Sequence, residues 1–312
     1  MSRTQFPNET SSSGAWVRQK SAFRELVTAD GSSGFPAEAG RYHLYVSYAC
    51  PWASRTIIVR RLKGLEAAIP MTVVDPERDE TGWRFTSEEP DPVNGYEFLQ
   101  EAYRATDPDF EARVTVPLLW DTETGRAVNN ESSEVMRMVH SEFNQFAANP
   151  GLDLYPEHLR DEIDGLNKRI YRTVNDGVYR CGFAGSQEAY AEAFVELFES
   201  LDWLDDLLAG RRYLTGDLIT EADWRLFVTL VRFDAVYASH FKCNLRRIAD
   251  YENLSGYLRE LYQLPGIRET VNFDHIKRHY YRTHPQINPS RIVPLGPELD
   301  LESPPGRGHL GG

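Results

Sequence analysis

Apolar positions along this chain change their period twice. Tyr42-His43-Leu44-Tyr45-Val46-Ser47 predicts a strand, Trp52 to Leu62 carries helical spacing, and Met71-Thr72-Val73-Val74 predicts a second short strand, which together make a βαβ unit. Asp75 to Arg113 is acidic and broken by Pro and Gly, with one helix expected from Tyr96 to Tyr103, and reads as a long insertion. Val116-Pro117-Leu118-Leu119-Trp120-Asp121, a Glu-Thr-Gly turn at 123–125 and Arg126-Ala127-Val128 predict a hairpin, and a helix is expected to open at Asn130-Glu131-Ser132-Ser133.

After Pro150 strand signals nearly vanish. Residues 187–209 place Tyr190, Phe194, Leu197, Phe198, Leu201, Leu204 and Leu208 three or four apart, and Gly210 closes that helix. Thr220-Glu221-Ala222-Asp223 reads as a capping box, with Ile219 and Trp224 as its hydrophobic staple. The first 39 residues are rich in Ser, Gly and Pro, with one amphipathic piece from Trp16 to Val27, and read as an arm over the body. The expected organisation is an arm at 1–39, an α/β domain at 40–148 with its insertion at 75–113, an all-helical domain at 149–290 and a tail at 291–312.

Composition agrees with two cores, since 312 residues is about twice the length that one core serves comfortably. The 34 basic and 47 acidic residues leave a net charge of −13, which makes nucleic acid and anionic membrane surfaces poor partners. No stretch reaches the roughly 18 apolar residues of a membrane span, and no apolar signal-peptide run opens the chain, so a cytoplasmic location is expected. Three widely spaced cysteines, Cys50, Cys181 and Cys243, offer neither a disulfide framework nor a zinc site and fit a reducing compartment; no role is visible for the last two.

Cys50 follows a predicted strand, and Pro51 suits the first helical position, where its missing N–H would be unpaired anyway. A cysteine at a helix N-terminus has free amides and a positive dipole end favouring thiolate over thiol. Arg41, Arg55, Arg60, Arg61 and Lys63 add a basic segment without an acid. The alternative is an inert cysteine in a strand-to-helix turn. Cys50-Pro51-Trp52-Ala53 lacks a second cysteine, so any partner thiol must come from outside, and glutathione is the first candidate. Its carboxylates and ammonium need amides, a basic group and a carboxylate. Val116-Pro117, directly before a strand, suggests a cis peptide exposing the Val116 backbone to a peptide ligand, or else an edge proline. Glu131 and Ser132 open a helix whose amides favour an anion, with Glu131 able to take an ammonium; alone they read as a helix cap. His275 and His279 are four apart, but Lys277 and Arg278 between them oppose a cation, so no metal site is expected.

Tyr48-Ala49-Cys50-Pro51-Trp52-Ala53, Gly82-Trp83-Arg84-Phe85, Arg113-Val114-Thr115-Val116-Pro117, Asn130-Glu131-Ser132 and His279-Tyr280-Tyr281 together resemble the glutathionyl-hydroquinone reductases, the Xi class of glutathione transferases. The likeness extends from Trp16-Val17-Arg18 and Gly34-Phe35-Pro36-Ala37-Glu38 to Ile287-Asn288-Pro289. It implies a thioredoxin-like α/β domain followed by an all-α domain, with Cys50 as nucleophile. Glutathione, a co-substrate with no other cofactor bound, would be held by Trp83, Arg113, Val114, Thr115, Val116, Glu131 and Ser132. Tyr179, Tyr237 and Tyr280 match the family's functional tyrosines, with Tyr281 adjacent to the last. The implied substrates are glutathionyl-hydroquinones and the implied assembly is a homodimer. Ser54 departs from the histidine found there in many relatives. An omega-like thiol transferase or dehydroascorbate reductase would lack the three tyrosines, and a non-catalytic carrier of the same shape would need no activatable cysteine.

Overall fold

The structure, a computed structural model, describes residues 9–311 and divides into two compact units. One contains Gln19–Leu152 and Thr270–His279; the other contains Glu9–Arg18, Asp153–Glu269 and the chain from Tyr280 onward.

The first unit is built on β1 (Tyr42–Val46), α1 (Pro51–Lys63), β2 (Met71–Val73), α2 (Leu99–Thr106), β3 (Leu118–Asp121), β4 (Arg126–Asn129) and α3 (Ser132–Ser141). The sheet order is β2-β1-β3-β4, with β1 parallel to β2 and antiparallel to β3, and β3 antiparallel to β4. Every residue of β1 is buried, as a central strand covered on both faces requires. α1 packs along α3, and α2 lies against β4. The arm runs extended beside β4: Glu25 N–H donates to the Val128 carbonyl at 3.0 Å and Asn130 N–H to the Phe23 carbonyl at 3.1 Å, so the chain itself covers that sheet edge. The helix expected at 96–103 instead starts at Leu99. Glu101 Oε1 accepts from the Glu97 and Phe98 amides, while Phe98 bridges Arg84 in extended conformation, which holds 96–98 out of the helix.

The second unit is helical: α4 (Arg160–Ile170), α5 (Gly177–Gly182), α6 (Gln187–Ala209), α7 (Glu221–Arg232), the single turn α8 (Ala238–His240) and α9 (Glu252–Tyr262), followed by α10 (Phe273–Thr283), within which the division between units falls. The expected stripe of α6 and the Thr220 capping box are both present, the latter with Thr220 N–H donating to Asp223 Oδ2 at 2.8 Å. Two π-helical turns were not legible in the sequence. Tyr171–Asn175 separates α4 from α5, and Phe233–Tyr237 separates α7 from α8. No helix among the described residues is long and apolar enough to cross a membrane.

Asp121 ties β3 to the start of β1. Fully buried, it accepts from Arg41 Nε at 3.0 Å and Nη2 at 2.9 Å and from Thr124 Oγ1 at 2.7 Å. Burial pushes its carboxyl upward, but these donors outweigh burial and hold it below the usual carboxylate range. A depressed carboxylate adds stability above its unfolded pKa of about 3.9 and loses that contribution as pH falls through the folded value. Asp121→Asn is therefore expected to lower the melting temperature at pH 7 by about 5 °C or more, with a smaller loss at pH 3. Thermal melts followed by circular dichroism at both pH values check this, and equal losses would contradict it.

Candidate functional site

Cys50 is the N-cap of α1, with φ −81° and ψ 119°, and Pro51 occupies the first helical position. The thiol is partly exposed, and its Sγ donates to the Val116 carbonyl at 3.4 Å. The Val116–Pro117 peptide is cis. Val116 is buried, and among the described residues no hydrogen bond to its N–H occurs. The basic segment does not gather at the thiol as its sequence suggested. Arg60, Arg61 and Lys63 sit in the last turn of α1, about 14 to 18 Å along the axis from its start. There Lys63 Nζ donates to the Pro150 and Leu152 carbonyls, Arg60 to the Ile69 and Glu66 carbonyls, and Arg61 pairs with Glu66. Arg41 belongs to Asp121. Arg55 alone stays in the first turns of α1, buried, with Nη1 donating to Ser132 Oγ at 3.3 Å.

That bond joins α1 to the start of α3, where Glu131 is the N-cap and Ser133 N–H donates to its Oε1 at 3.3 Å. Ser21 of the arm donates to Glu131 Oε2 at 2.9 Å. Thr115 is anchored through its backbone. The Tyr103 hydroxyl donates to the Thr115 carbonyl at 2.7 Å and lies 3.2 Å from the Thr115 N–H, while Asn130 Nδ2 donates to Tyr103 Oη at 3.1 Å and Thr115 Oγ1 at 3.0 Å. Arg113 N–H donates to Gln19 Oε1 at 3.2 Å, and Val114 is buried. Trp83 is buried too, stacked on His279 with centroids 5.2 Å apart and flanked by the Arg78 guanidinium at 4.7 Å. Its indole N–H has no hydrogen-bond partner among the described residues, an expensive state for a buried donor that a ligand acceptor would relieve.

In the helical unit the π turn at 171–175 precedes Tyr179, and the π turn at 233–237 ends on Tyr237. With Tyr280 on α10 they form one cluster: the Tyr237 and Tyr280 hydroxyls are 2.9 Å apart, those of Tyr179 and Tyr237 3.5 Å, and Tyr179 is hydrogen-bonded to Tyr280. Tyr179 is 9% exposed, against 0% for Tyr237 and 1% for Tyr280, so it is the member nearest solvent. Burial pushes the Tyr280 phenol well above its usual value, neighbouring Tyr179 and Tyr237 add to this, and Arg232 opposes it. Tyr280 therefore stays protonated at neutral pH. The adjacent Tyr281 faces elsewhere, bonded to Ser239.

Two family models match this chain: the glutathione S-transferase N-terminal domain over residues 49–142 and the glutathione S-transferase C-terminal domain over 187–260. The Xi class transferase of Natrialba magadii superposes with a TM-score of 0.91 at 52% identity, covering 96% of each chain. The chain belongs to the Xi class of the glutathione transferases. Among curated relatives, glutathionyl-hydroquinone reductase YqjG of Escherichia coli K12 is 53% identical, covering 95% of this chain and 93% of its own. Glutathionyl-hydroquinone reductase PcpF of Sphingobium chlorophenolicum is 52% identical, with 93% and 92% covered. A glutathione-bound structure of YqjG superposes with a TM-score of 0.89 at 52% identity, covering 92% of this chain and 96% of that one.

Several residues of this Xi-class chain support the site in ways that the sequence did not show. Tyr103 and Asn130 hold Thr115, Gln19 and Ser21 reach in from the arm, and His279 turns from a rejected metal ligand into the stacking partner of Trp83. The His279 Nδ1–H donates to the Pro76 carbonyl at 2.7 Å, which sets its tautomer. Gly182 makes room for Phe241, which stacks on Tyr237 with centroids 5.6 Å apart and meets Tyr179 edge-on at 5.3 Å. A Cβ at 182 would stand 2.2 Å from the Phe241 ring. Gly182→Ala is expected to cost about 1–3 kcal/mol in urea unfolding by displacing that ring. Unchanged stability together with unchanged activity would show that the ring yields freely.

Proposed function

We propose that this chain is a glutathione-dependent reductase that removes glutathione from S-glutathionyl-hydroquinones, giving the hydroquinone and glutathione disulfide through a Cys50–glutathione mixed disulfide. The observation that carries this reading is the cluster of three phenols. Thiol–disulfide exchange alone needs no buried proton donors, whereas breaking an aryl carbon–sulfur bond leaves a ring carbon that must be protonated. The relatives YqjG and PcpF, both named glutathionyl-hydroquinone reductases, support it.

In the proposed mechanism the glutathionyl group lies along Val116, whose N–H and carbonyl offer a peptide edge, with Trp83 Nε1 and Arg113 as further donors. Val114 and Thr115 shape that edge, Glu131 takes the ammonium, and Ser132 and the first amides of α3 take a carboxylate. Tyr179 protonates the ring carbon that bears sulfur while the ring hydroxyl releases its proton to solvent, giving the keto tautomer. The Cys50 thiolate then attacks the glutathione sulfur, the carbon–sulfur bond breaks with its electron pair passing to the ring as an enolate, and the enolate oxygen takes a proton from solvent, which restores the aromatic hydroquinone. A second glutathione thiolate attacks the mixed disulfide and frees Cys50. Tyr237 and Tyr280 act through Tyr179: a phenolate left there receives hydrogen bonds from two phenols, which lowers the cost of giving up the proton. The same reading carries a homodimer in the cytoplasm.

Single turnover with a glutathionyl-hydroquinone is expected to add one glutathionyl group to Cys50 by mass spectrometry, and Cys50→Ser is expected to abolish turnover; full turnover in that variant would end the covalent scheme. Tyr179→Phe is expected to slow hydroquinone release by about 100-fold while reduction of a small glutathione mixed disulfide falls far less. Equal losses on the two substrates would remove Tyr179 as the proton donor.

A further inference from the structure

We propose that Trp16, from the N-terminal arm, is a positioning residue that holds the Tyr179 ring in the orientation from which its hydroxyl meets those of Tyr237 and Tyr280. The proposal rests on the reading of Tyr179 as proton donor.

Trp16 is buried although the next residue, Val17, is 55% exposed, so the turn directs the Trp16 side chain inward. Its indole lies on the Tyr179 ring with centroids 5.7 Å apart and planes 25° from parallel, and it also touches Phe183 at 6.2 Å. Offset stacking of this kind restrains both rings beyond the area it buries. Phe241 closes another side of Tyr179, edge-on at 5.3 Å. A tyrosine ring has two rotatable bonds, and Tyr179 follows a π turn and is the most exposed member of its cluster. Its direction is therefore set by the aromatic neighbours that wall it.

The arm is built to deliver Trp16. Ser11 N–H donates to the Ala15 carbonyl at 2.8 Å and Val17 N–H to the Glu9 carbonyl at 2.7 Å, which folds 9–17 back on itself, and Trp16 Nε1 donates to Glu9 Oε2 at 3.4 Å. The turn then docks on the chain just before α6: Gly185 N–H donates to the Gly14 carbonyl at 2.8 Å and Ser186 Oγ to the Ser13 carbonyl at 3.1 Å. Gly14 has φ +83°, and a Cβ there would stand 2.9 Å from the Ser186 nitrogen, so glycine is required at this contact. Backbone bonds thus fix the arm within a few residues of the ring it supports.

The test pairs a structural readout with kinetics in the full chain. With 3-fluorotyrosine at position 179, the parent is expected to show one narrow fluorine resonance. Trp16→Ala is expected to shift or broaden it, and Trp16→Phe, which keeps an aromatic wall, to restore a narrow line. In unlabelled protein Trp16→Ala is expected to lower kcat for a glutathionyl-hydroquinone by about tenfold, with KM changed by less than about twofold and the loss on a small glutathione mixed disulfide at least about fivefold smaller. Gly14→Ala, which keeps Trp16 but strains its docking turn, is expected to act in the same direction and decides the matter if Trp16→Ala does not fold. A resonance unmoved in these variants, or losses equal on the two substrates, would overturn the proposal. Should Tyr179→Phe itself fail to separate the substrates, the donor reading falls, and the resonance still decides whether Trp16 holds the ring.

Discussion

A buried polar group that lacks a partner costs the fold more than most contacts return, and both units of this protein are organised around meeting that requirement. In the α/β unit, the Tyr103 hydroxyl, the Thr115 backbone and the Asn130 amide satisfy one another, and in doing so they fix the segment leading to Val116 against the start of α3. In the helical unit, three phenols that would each be costly to bury alone are within hydrogen-bond reach of one another. The places where the requirement is not met are informative for the same reason. The Trp83 indole N–H is a buried donor without an acceptor among the described residues, on a unit that also carries a thiol at a helix N-terminus.

The cations near Cys50 in the sequence are dispersed in the structure. Of the five cations within 41–63, three lie at the far end of α1, where they meet carbonyls or Glu66 and complement the negative end of the helix dipole, and Arg41 is spent on Asp121. The sulfur sits at the N-terminus of α1, and Arg55, bound to Ser132, is the cation of that segment nearest to it along the helix. An acidic protein can therefore present a site suited to an anionic tripeptide without a basic surface, because the amides that open a helix are always in place.

The three tyrosines of the cluster differ in burial. Tyr237 and Tyr280 are closed off, and Tyr280 is held protonated by burial. Tyr179 keeps contact with the outside while its hydroxyl stays within reach of both. Its ring is walled by Phe241, for which Gly182 leaves space, and by Trp16. Residues 9–18 of the arm join the aromatic framework of the helical unit, and residues 19–39 the polar framework of the α/β unit.

The sequence by itself determined the order of elements, the helical second half, the capping box at Thr220, and Cys50 as a thiol at a helix start, because these follow from local periodicity and local turn chemistry. Its motif order also sufficed to place the chain among its relatives. The start of α2 was misread by three residues because a side chain, Glu101, and a bridge to Arg84 decided it, and neither belongs to the apolar period. Only the tertiary structure decided where the cations go, that His279 stacks on Trp83, that Ser21 and Gln19 reach Glu131 and Arg113, and that two π turns set Tyr179 and Tyr237 in place. A π turn adds one residue to a helical turn and rotates everything after it, so the faces presented by Tyr179 and Tyr237 depend on packing between distant segments that no single stretch of sequence encodes.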